Sequence, residues 1–289
     1  MIPMAHITQW RQLAPWSDDM QVEQDLILSR IIVDIFSDPI LKNELAFRGG
    51  TALHKLFFQP AQRYSEDIDL VRTNPGKITD IVDALRARLD VWLGEPKTSR
   101  NYSSFKLLYR FAPETSKSVS LRVKIEINTR ENFSVLDRIS KKFLVNSAWF
   151  SGEAEVNTYQ FEELLATKLR ALYQRKKGRD LFDLWLALKQ EGLDIDNLVR
   201  IFLLYMREGK VISREIFEKN IDLKLQEQVF VDDINLLMTS ELRKNQSKLM
   251  VTDSNNVMVT EDGRKMRTEG WSLFDAAKEV KQKILVLLP

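Results

Sequence analysis

Cysteine is absent from the 289 residues, and histidine occurs only at His6 and His54. The first absence removes disulfides, thiolate metal sites, iron–sulfur clusters and cysteine nucleophiles together. The second leaves no multi-histidine zinc or copper site, so any metal should be a hard cation bound by oxygen. Glycine and proline are scarce, at 10 and 8, which argues against a collagen-like, disordered or low-complexity chain. A formal net charge of only +2 excludes a whole-protein polycation but leaves room for a local basic patch. No apolar run approaches the roughly 18 residues that a membrane span needs. The opening residues, MIPMAHITQWRQLAPW, lack the basic-then-apolar order of a signal peptide. The expectation is a cytoplasmic protein with no membrane partner.

What remains is an ordinary globular composition, 44% hydrophobic and 29% charged, in a chain long enough for about two domains. Residues 20–36 place Val22, Leu26, Ile27, Ile31, Ile35 and Phe36 near one helical face, and Asp38-Pro39 breaks that pattern. The short apolar piece Leu45-Ala46-Phe47 leads into Gly49-Gly50-Thr51, with a helix expected from Ala52 to Phe58. A strand, a Gly-Gly turn and a helix N-terminus make a phosphate site, because unpaired backbone N–H groups point outward there. Asp67–Val71 alternates polar and apolar residues as a half-buried strand does. Residues 78–93 read as an amphipathic helix, and Ser104–Phe111 and Val119–Asn128 as two strands of a loose hairpin. From about residue 160 the pattern turns helical, at 159–174, 180–189, 195–207, 213–219, 229–243 and 272–287. Lys176-Lys177-Gly178 marks a break between the first two, and Asp253–Asn256 is a hairpin candidate. The predicted class is α+β: an α/β lobe with a small mixed sheet over 1–157 and a mostly helical lobe over 158–289.

Asp67 and Asp69 are the most informative pair. Side chains on a strand alternate with period 2, so both carboxylates project from one face while Ile68 and Leu70 enter the core. They read either as a solvated strand edge or as a metal-binding pair, since a divalent cation removes their mutual repulsion. The interval after the Gly-Gly turn has room for one helix to leave and the next strand to return beside the first. That would bring the phosphate cradle next to the carboxylates. Glu126 shares the polar face of its strand with Lys124 and Asn128; pairing near Asp67–Leu70 would add a third carboxylate, the set a two-metal phosphoryl-transfer site uses. It also reads as a solvated strand glutamate. Arg63 and Ser65, just ahead of the pair, suit a triphosphate, or are ordinary loop residues. Lys168 lies within the apolar stripe Leu164, Leu165, Leu169 and Leu172, so it snorkels to the surface or is directed at an anion. On one straight helix Lys168 and Asp183 would be about 22 Å apart. They converge only if the helix turns back at Lys176-Lys177-Gly178.

The stretches Arg48-Gly49-Gly50-Thr51-Ala52-Leu53, Arg63-Tyr64-Ser65-Glu66-Asp67-Ile68-Asp69-Leu70, Ala166–Leu172 and Arg175–Leu184, in this order, resemble the AbiEii/AbiGii toxin family. Those are nucleotidyltransferase-like toxins of bacterial toxin–antitoxin and phage-defence systems, and they include the MenT-type toxins. The resemblance implies a DNA polymerase β-like nucleotidyltransferase lobe joined to a helical lobe that completes the active site. By position, Asp67 and Asp69 would bind Mg²⁺, and Gly49, Gly50 and Thr51 would lie against the triphosphate. Arg63 and Ser65 would assist there, while Lys168 and Asp183 would complete the site. It further implies an NTP donor, an RNA acceptor such as the 3′ end of tRNA, and a cognate antitoxin, which in some members phosphorylates the serine matching Ser65. The wider superfamily opens with Gly-Ser where this chain has Gly-Gly-Thr. The family pattern does not fix Glu126; either Glu126 or solvent is expected to take the hydroxyl proton.

An acceptor as large as tRNA needs phosphate contacts. Arg170, Arg175, Lys176, Lys177 and Arg179, with Lys244, Lys248, Arg264, Lys265 and Arg267, are the sequence candidates. Two rival functions stand beside nucleotidyl transfer. A metal-dependent nuclease would use Asp67, Asp69, Glu126 and Lys124 without an NTP. A non-catalytic regulatory protein on the same fold would tolerate loss of Asp67. Serine–histidine–aspartate hydrolysis has little support, because only His54 could serve and nothing pairs a serine with it.

Overall fold

The computed structural model describes residues 2–58, 60–115, 118–206, 212–235, 237–238, 258–259, 265–266 and 271–289. The chain divides into two compact units, Met1–Leu164 and Leu165–Pro289. Among the described residues no helix is long and apolar enough to cross a membrane.

The first unit is built on a seven-stranded mixed sheet. In chain order its strands are β1 (Leu45–Arg48), β2 (Asp67–Arg72), β3 (Lys97–Arg100), β4 (Ser104–Phe111), β5 (Leu121–Asn128), β6 (Ile139–Asn146) and β7 (Ser151–Thr158). Their spatial order is β3-β4-β5-β2-β1-β7-β6. Helices α1 (Met4–Trp10), α2 (Asp19–Phe36), α3 (Pro39–Glu44), α4 (Gly49–Leu56) and α5 (Ile78–Leu93) accompany it. The α2 helix starts at Asp18, whose carboxylate accepts from the Met20 N–H, and it packs its apolar residues against β5, β6 and β7. The α5 helix buries Ile81, Leu85, Leu89 and Leu93, one stripe at a spacing of four, and packs against β4. Alternation along the strands sends Ile68, Leu70, Leu107, Tyr109, Ile125 and Ile127 into the core.

The sheet is larger than the small one expected, and the additions have a common cause. Each of β3, β6 and β7 carries polar or charged residues on an exposed face, and all four residues of β3 are exposed. A weak apolar signal leaves little for a local reading to detect, even though β3–β4 and β6–β7 are local hairpins. Asp38-Pro39 ends the α2 pattern as read, with α2 stopping at Phe36, and it also opens α3. Pro39 stands in its first turn, and Asp38 accepts from Ile40 N at 2.9 Å and Leu41 N at 3.2 Å. The α4 helix begins at Gly49 itself rather than at Ala52.

The second unit is helical. It takes up α6 (Phe161–Gln174) beyond the division, then α7 (Gly178–Ala187), α8 (Ile195–Tyr205), α9 (Arg214–Leu225), α10 (Gln228–Asp232) and α11 (Leu273–Lys283). Two short strands, β8 (Met258–Val259) and β9 (Lys265–Met266), pair antiparallel. Trp271 sits edge-on to Phe182 and Trp185, with ring centroids 4.8 and 5.0 Å apart, and joins α7 to the start of α11. The break at Lys176-Lys177-Gly178 falls as expected. A side chain at position 178 would overlap the Phe230 carbonyl, so the turn into α7 is open only to glycine. The helix read at 229–243 is α10 as far as it is described. The hairpin candidate Asp253–Asn256 lies outside the described residues.

Gly49 fixes how closely β2 approaches α4. Its φ is +83°, in the left-handed region, and a methyl group there would overlap the Asp69 carboxylate. Gly49→Ala should therefore lose about 1–3 kcal/mol in urea unfolding. A loss below ~0.5 kcal/mol, the range of neutral surface changes, would mean that this close approach is not required.

Candidate active site

Strand register assembles one row of charges. Arg48 of β1 lies opposite Asp69 of β2. Parallel pairing of β2 with β5 sets Asp67 beside Lys124 and Asp69 beside Glu126, and β4 adds Lys106 next to Glu126. The return of β2 beside β1, expected from the spacing, thus places the carboxylates at the start of α4. Arg48, which caps α4, gives it no side-chain hydrogen bond, and it pairs with Glu131 at 2.8 Å.

The expected gathering of three carboxylates does not form. Among the described residues no group of three or more acidic or histidine side chains is set to hold a metal. The physical reason is Lys124, whose Nζ lies 3.0 Å from Asp67 Oδ2 and 3.3 Å from Glu126 Oε2. Its burial works against the ammonium, but Asp67, then Asp69 and Glu126, more than offset this and raise its pKa. Glu126 also accepts from Ser104 Oγ at 2.8 Å and faces Lys106 Nζ at 3.2 Å. Burial raises the Glu126 pKa, yet Ser104, Lys106 and Lys124 together bring it below the ordinary carboxylate value. A carboxylate so held is a poor proton acceptor.

The other residues singled out ahead of β2 are turned inward. Thr51 is 2% exposed; its hydroxyl donates to the Asp67 carbonyl and so accepts from Ser65 Oγ, 2.7 Å away. Arg63 is likewise 2% exposed, and it donates to the Tyr64 carbonyl at 3.0 Å. Thr51 and Ser65 tie α4 to the first residue of β2, and Arg63 secures the preceding loop. Gly50 is buried in the first turn of α4.

In the second unit the helix reversal does bring Lys168 and Asp183 together, with Nζ 3.0 Å from Oδ2. Lys168 is 5% exposed. It also reaches Asp180 Oδ1 at 3.1 Å, and Arg175 grips Asp180 with two hydrogen bonds of 2.7 and 2.9 Å. Two buried carboxylates thus face two cations. Burial alone would raise the Asp180 pKa; Lys168 and Arg175 outweigh it and hold the group below its usual value. Asp180 and Arg175 are the members that the sequence reading missed in these roles, although Asp180 stands one turn before Asp183 on the same helical face. A third buried cation, Lys224, donates to the Leu172 and Tyr173 carbonyls at the end of α6, with its pKa pulled down by burial to about 8. Its signal in the sequence is a lysine continuing the apolar positions Phe217 and Ile221.

The basic residues expected to meet RNA are largely engaged already. Lys176 pairs with Glu227 at 2.8 Å, Lys177 with Asp233 at 3.1 Å and Arg179 with Asp233 at 3.7 Å. The Arg170 guanidinium lies 5.0 Å from the Tyr205 ring centre. Lys244, Lys248, Arg264 and Arg267 lie outside the described residues, as does the side chain of Lys265.

Residues 30–272 match the family model described as nucleotidyl transferase AbiEii toxin, type IV toxin–antitoxin system. The fold is similar to the nucleotidyltransferase toxin MenT4 of Mycobacterium tuberculosis H37Rv, at 16% identity, TM-score 0.62 and full coverage of both chains, 100% each. It is also similar to JHP933 of Helicobacter pylori, at 17% identity and TM-score 0.52, over 93% of this chain and 92% of that one. No curated protein matches the chain.

The Asp180 cluster has a pH signature. A carboxylate whose pKa is depressed by folding adds stability that is present above its unfolded pKa of about 3.9 and is lost as pH falls through the folded value. Asp180→Asn leaves two cations facing one carboxylate and should cost about 3–5 kcal/mol at pH 7, and the variant should lack that part of the acid loss. Unfolding followed at pH 7 and at pH 3 checks both. Equal stability of the two proteins at pH 7 would contradict the ion-pair assignment.

Proposed function

The chain belongs to the nucleotidyl transferase AbiEii toxin family, and on that footing we propose that it transfers a nucleotide from an NTP to the 3′-hydroxyl of an RNA, tRNA foremost. The observation that carries this reading is the pair Asp67 and Asp69, on one face of β2 and against the glycine turn that opens α4. The donor set fits Mg²⁺. Both ligands are oxygen, the two carboxylates repel one another, and a lysine now supplies part of the missing positive charge. Asp67 and Asp69 would hold the ion, which supplies charge neutralisation at the phosphates and a more acidic attacking hydroxyl.

The remaining work falls to the chain itself. Backbone N–H groups of Gly49, Gly50 and Thr51 at the start of α4 receive triphosphate oxygens. Thr51, Ser65 and Arg63 keep α4, the loop and β2 in register. Lys124, drawn from Asp67, turns to the incoming phosphates, and Glu126, itself held by Lys106, positions it. The hydroxyl oxygen attacks the α-phosphorus, the bond to pyrophosphate breaks, and pyrophosphate leaves with the electron pair. The hydroxyl proton passes to solvent, since Glu126 is held by three donors. As a toxin of this family the protein would be restrained by a cognate antitoxin.

The test is incubation with Mg²⁺, total tRNA and each α-labelled NTP in turn, beside Asp67→Asn and Asp69→Asn. Label should pass to RNA from one or two NTPs and fall by about 100-fold or more in both variants. RNA shortened without NTP, or label on protein instead, would overturn the reading.

A further inference from the structure

Among the described residues of the helical unit, Arg175, Lys176, Lys177 and Arg179 are held in ion pairs, whereas the sheet unit carries basic and aromatic groups on its surface. One feature there has no part in the core. Tyr102, in the turn between β3 and β4, is 81% exposed, the largest exposure among the exposed large apolar side chains described. An aromatic ring left in water adds little to folding, and its guanidinium contact, at an exposed site, adds little more.

Yet the ring is held in place. Asn101 Oδ1 accepts from Ser103 N at 2.9 Å, Ser104 N at 2.6 Å and Ser104 Oγ at 3.1 Å, and Asn101 N donates to Ser104 O at 2.9 Å. Arg130, just past β5, lies with its guanidinium carbon 4.2 Å from the Tyr102 ring centre. Its Nε donates to the Tyr102 carbonyl at 3.2 Å and its N–H to Asn128 Oδ1 at 2.9 Å. Thr129 N closes the junction on Ser103 O at 2.9 Å. Ring and guanidinium are thus ordered before any ligand arrives. Arg100 is exposed two residues before Tyr102, and among the described residues neither Arg100 nor Arg130 is in an ion pair.

The position is as telling as the chemistry. The turn stands past the carboxyl ends of β2 and β5, on the same sheet as the charge row. Ser104, two residues on, donates to Glu126 in the charge row. Two strand spacings and four residues along a strand put Tyr102 about 16 Å from Asp69. That is about five steps of a stacked strand at 3.4 Å each, and fewer if the strand is extended.

We propose that Tyr102 and Arg130 form a stacking subsite for an unpaired base of the RNA acceptor, with Arg100 and Arg130 meeting its phosphates. The flat faces of a tyrosine and a guanidinium accept any base, and two unpaired cations suit the backbone. The subsite rests on the reading that RNA is the acceptor.

The test has two readouts: anisotropy of fluorescently labelled tRNA in the absence of NTP, and transfer kinetics with tRNA and NTP varied separately. Tyr102→Ala should weaken tRNA binding and raise the KM for tRNA by about 5- to 100-fold, while the KM for NTP stays unchanged. Tyr102→Phe, which keeps the ring, should restore most of the affinity. Arg130→Gln should weaken binding and flatten its salt dependence by about one unit of log–log slope. Because the ring is exposed, all three should unfold at the wild-type midpoint. Wild-type transfer to tRNA with an unchanged KM in Tyr102→Ala would overturn the subsite and leave the transfer reading standing. Weakened binding in Tyr102→Ala, with no transfer by the wild type, would keep the subsite and overturn transfer. A wild type that neither binds nor labels tRNA would overturn both.

Discussion

Two carboxylates pointing the same way from one strand are a standing electrostatic cost. Strand β2 carries such a pair, and the surrounding elements meet its charge. Parallel pairing with β5 lays Lys124 beside Asp67. Antiparallel pairing with β1 turns the chain into α4 against Asp69, with only a glycine hydrogen between backbone and carboxylate. Ser104, Lys106 and Lys124 then hold Glu126 ionised. The sheet presents an alternating row in which each anion has a cation close by. On the proposed reading, a divalent cation arriving at the aspartates would free Lys124 for another anion.

The same constraint governs the helical unit at lower dielectric. Asp180 and Asp183 are fully buried, where an unpaired carboxylate is costly. Lys168 and Arg175 make the group neutral overall, and the tight turn at Gly178 makes this possible by folding α7 back along α6. Removing one partner leaves a buried charge without its counter-ion, so each member matters more than its single hydrogen bonds suggest. Lys224 does the complementary task nearby, satisfying carbonyls at the end of α6 that the helix itself leaves open.

How much of this was legible in the sequence depended on range. Helix α5 and strand β4 were readable to their end residues, and α2 nearly so, because their apolar periods are strong and their ends carry turn residues. The approach of Lys168 to Asp183 was readable from one glycine-bearing break. Strands β3, β6 and β7 were not, since their exposed faces carry Lys, Ser, Glu and Asn; β3 and β6 pair locally, with β4 and β7, but the pairing of β7 with β1 spans over a hundred residues. Asp69 could be placed beside Glu126 only as a condition on pairing, and no local pattern shows that Lys124 would lie between Asp67 and Glu126. The basic run at 175–179 looked like an open surface. Its partners Glu227 and Asp233 come from some fifty residues away, beyond the reach of any helical period.

The central claim is that Asp67 and Asp69 form a divalent-cation site at the head of α4. Crystals grown with Mn²⁺ and a non-hydrolysable NTP, measured for anomalous scattering, test it most directly. The account predicts a manganese peak bonded to carboxylate oxygens of both Asp67 and Asp69, with Lys124 Nζ moved off Asp67, and no such peak in Asp67→Asn. Nucleotide bound with no metal at these residues, or a peak held by other side chains, would contradict it.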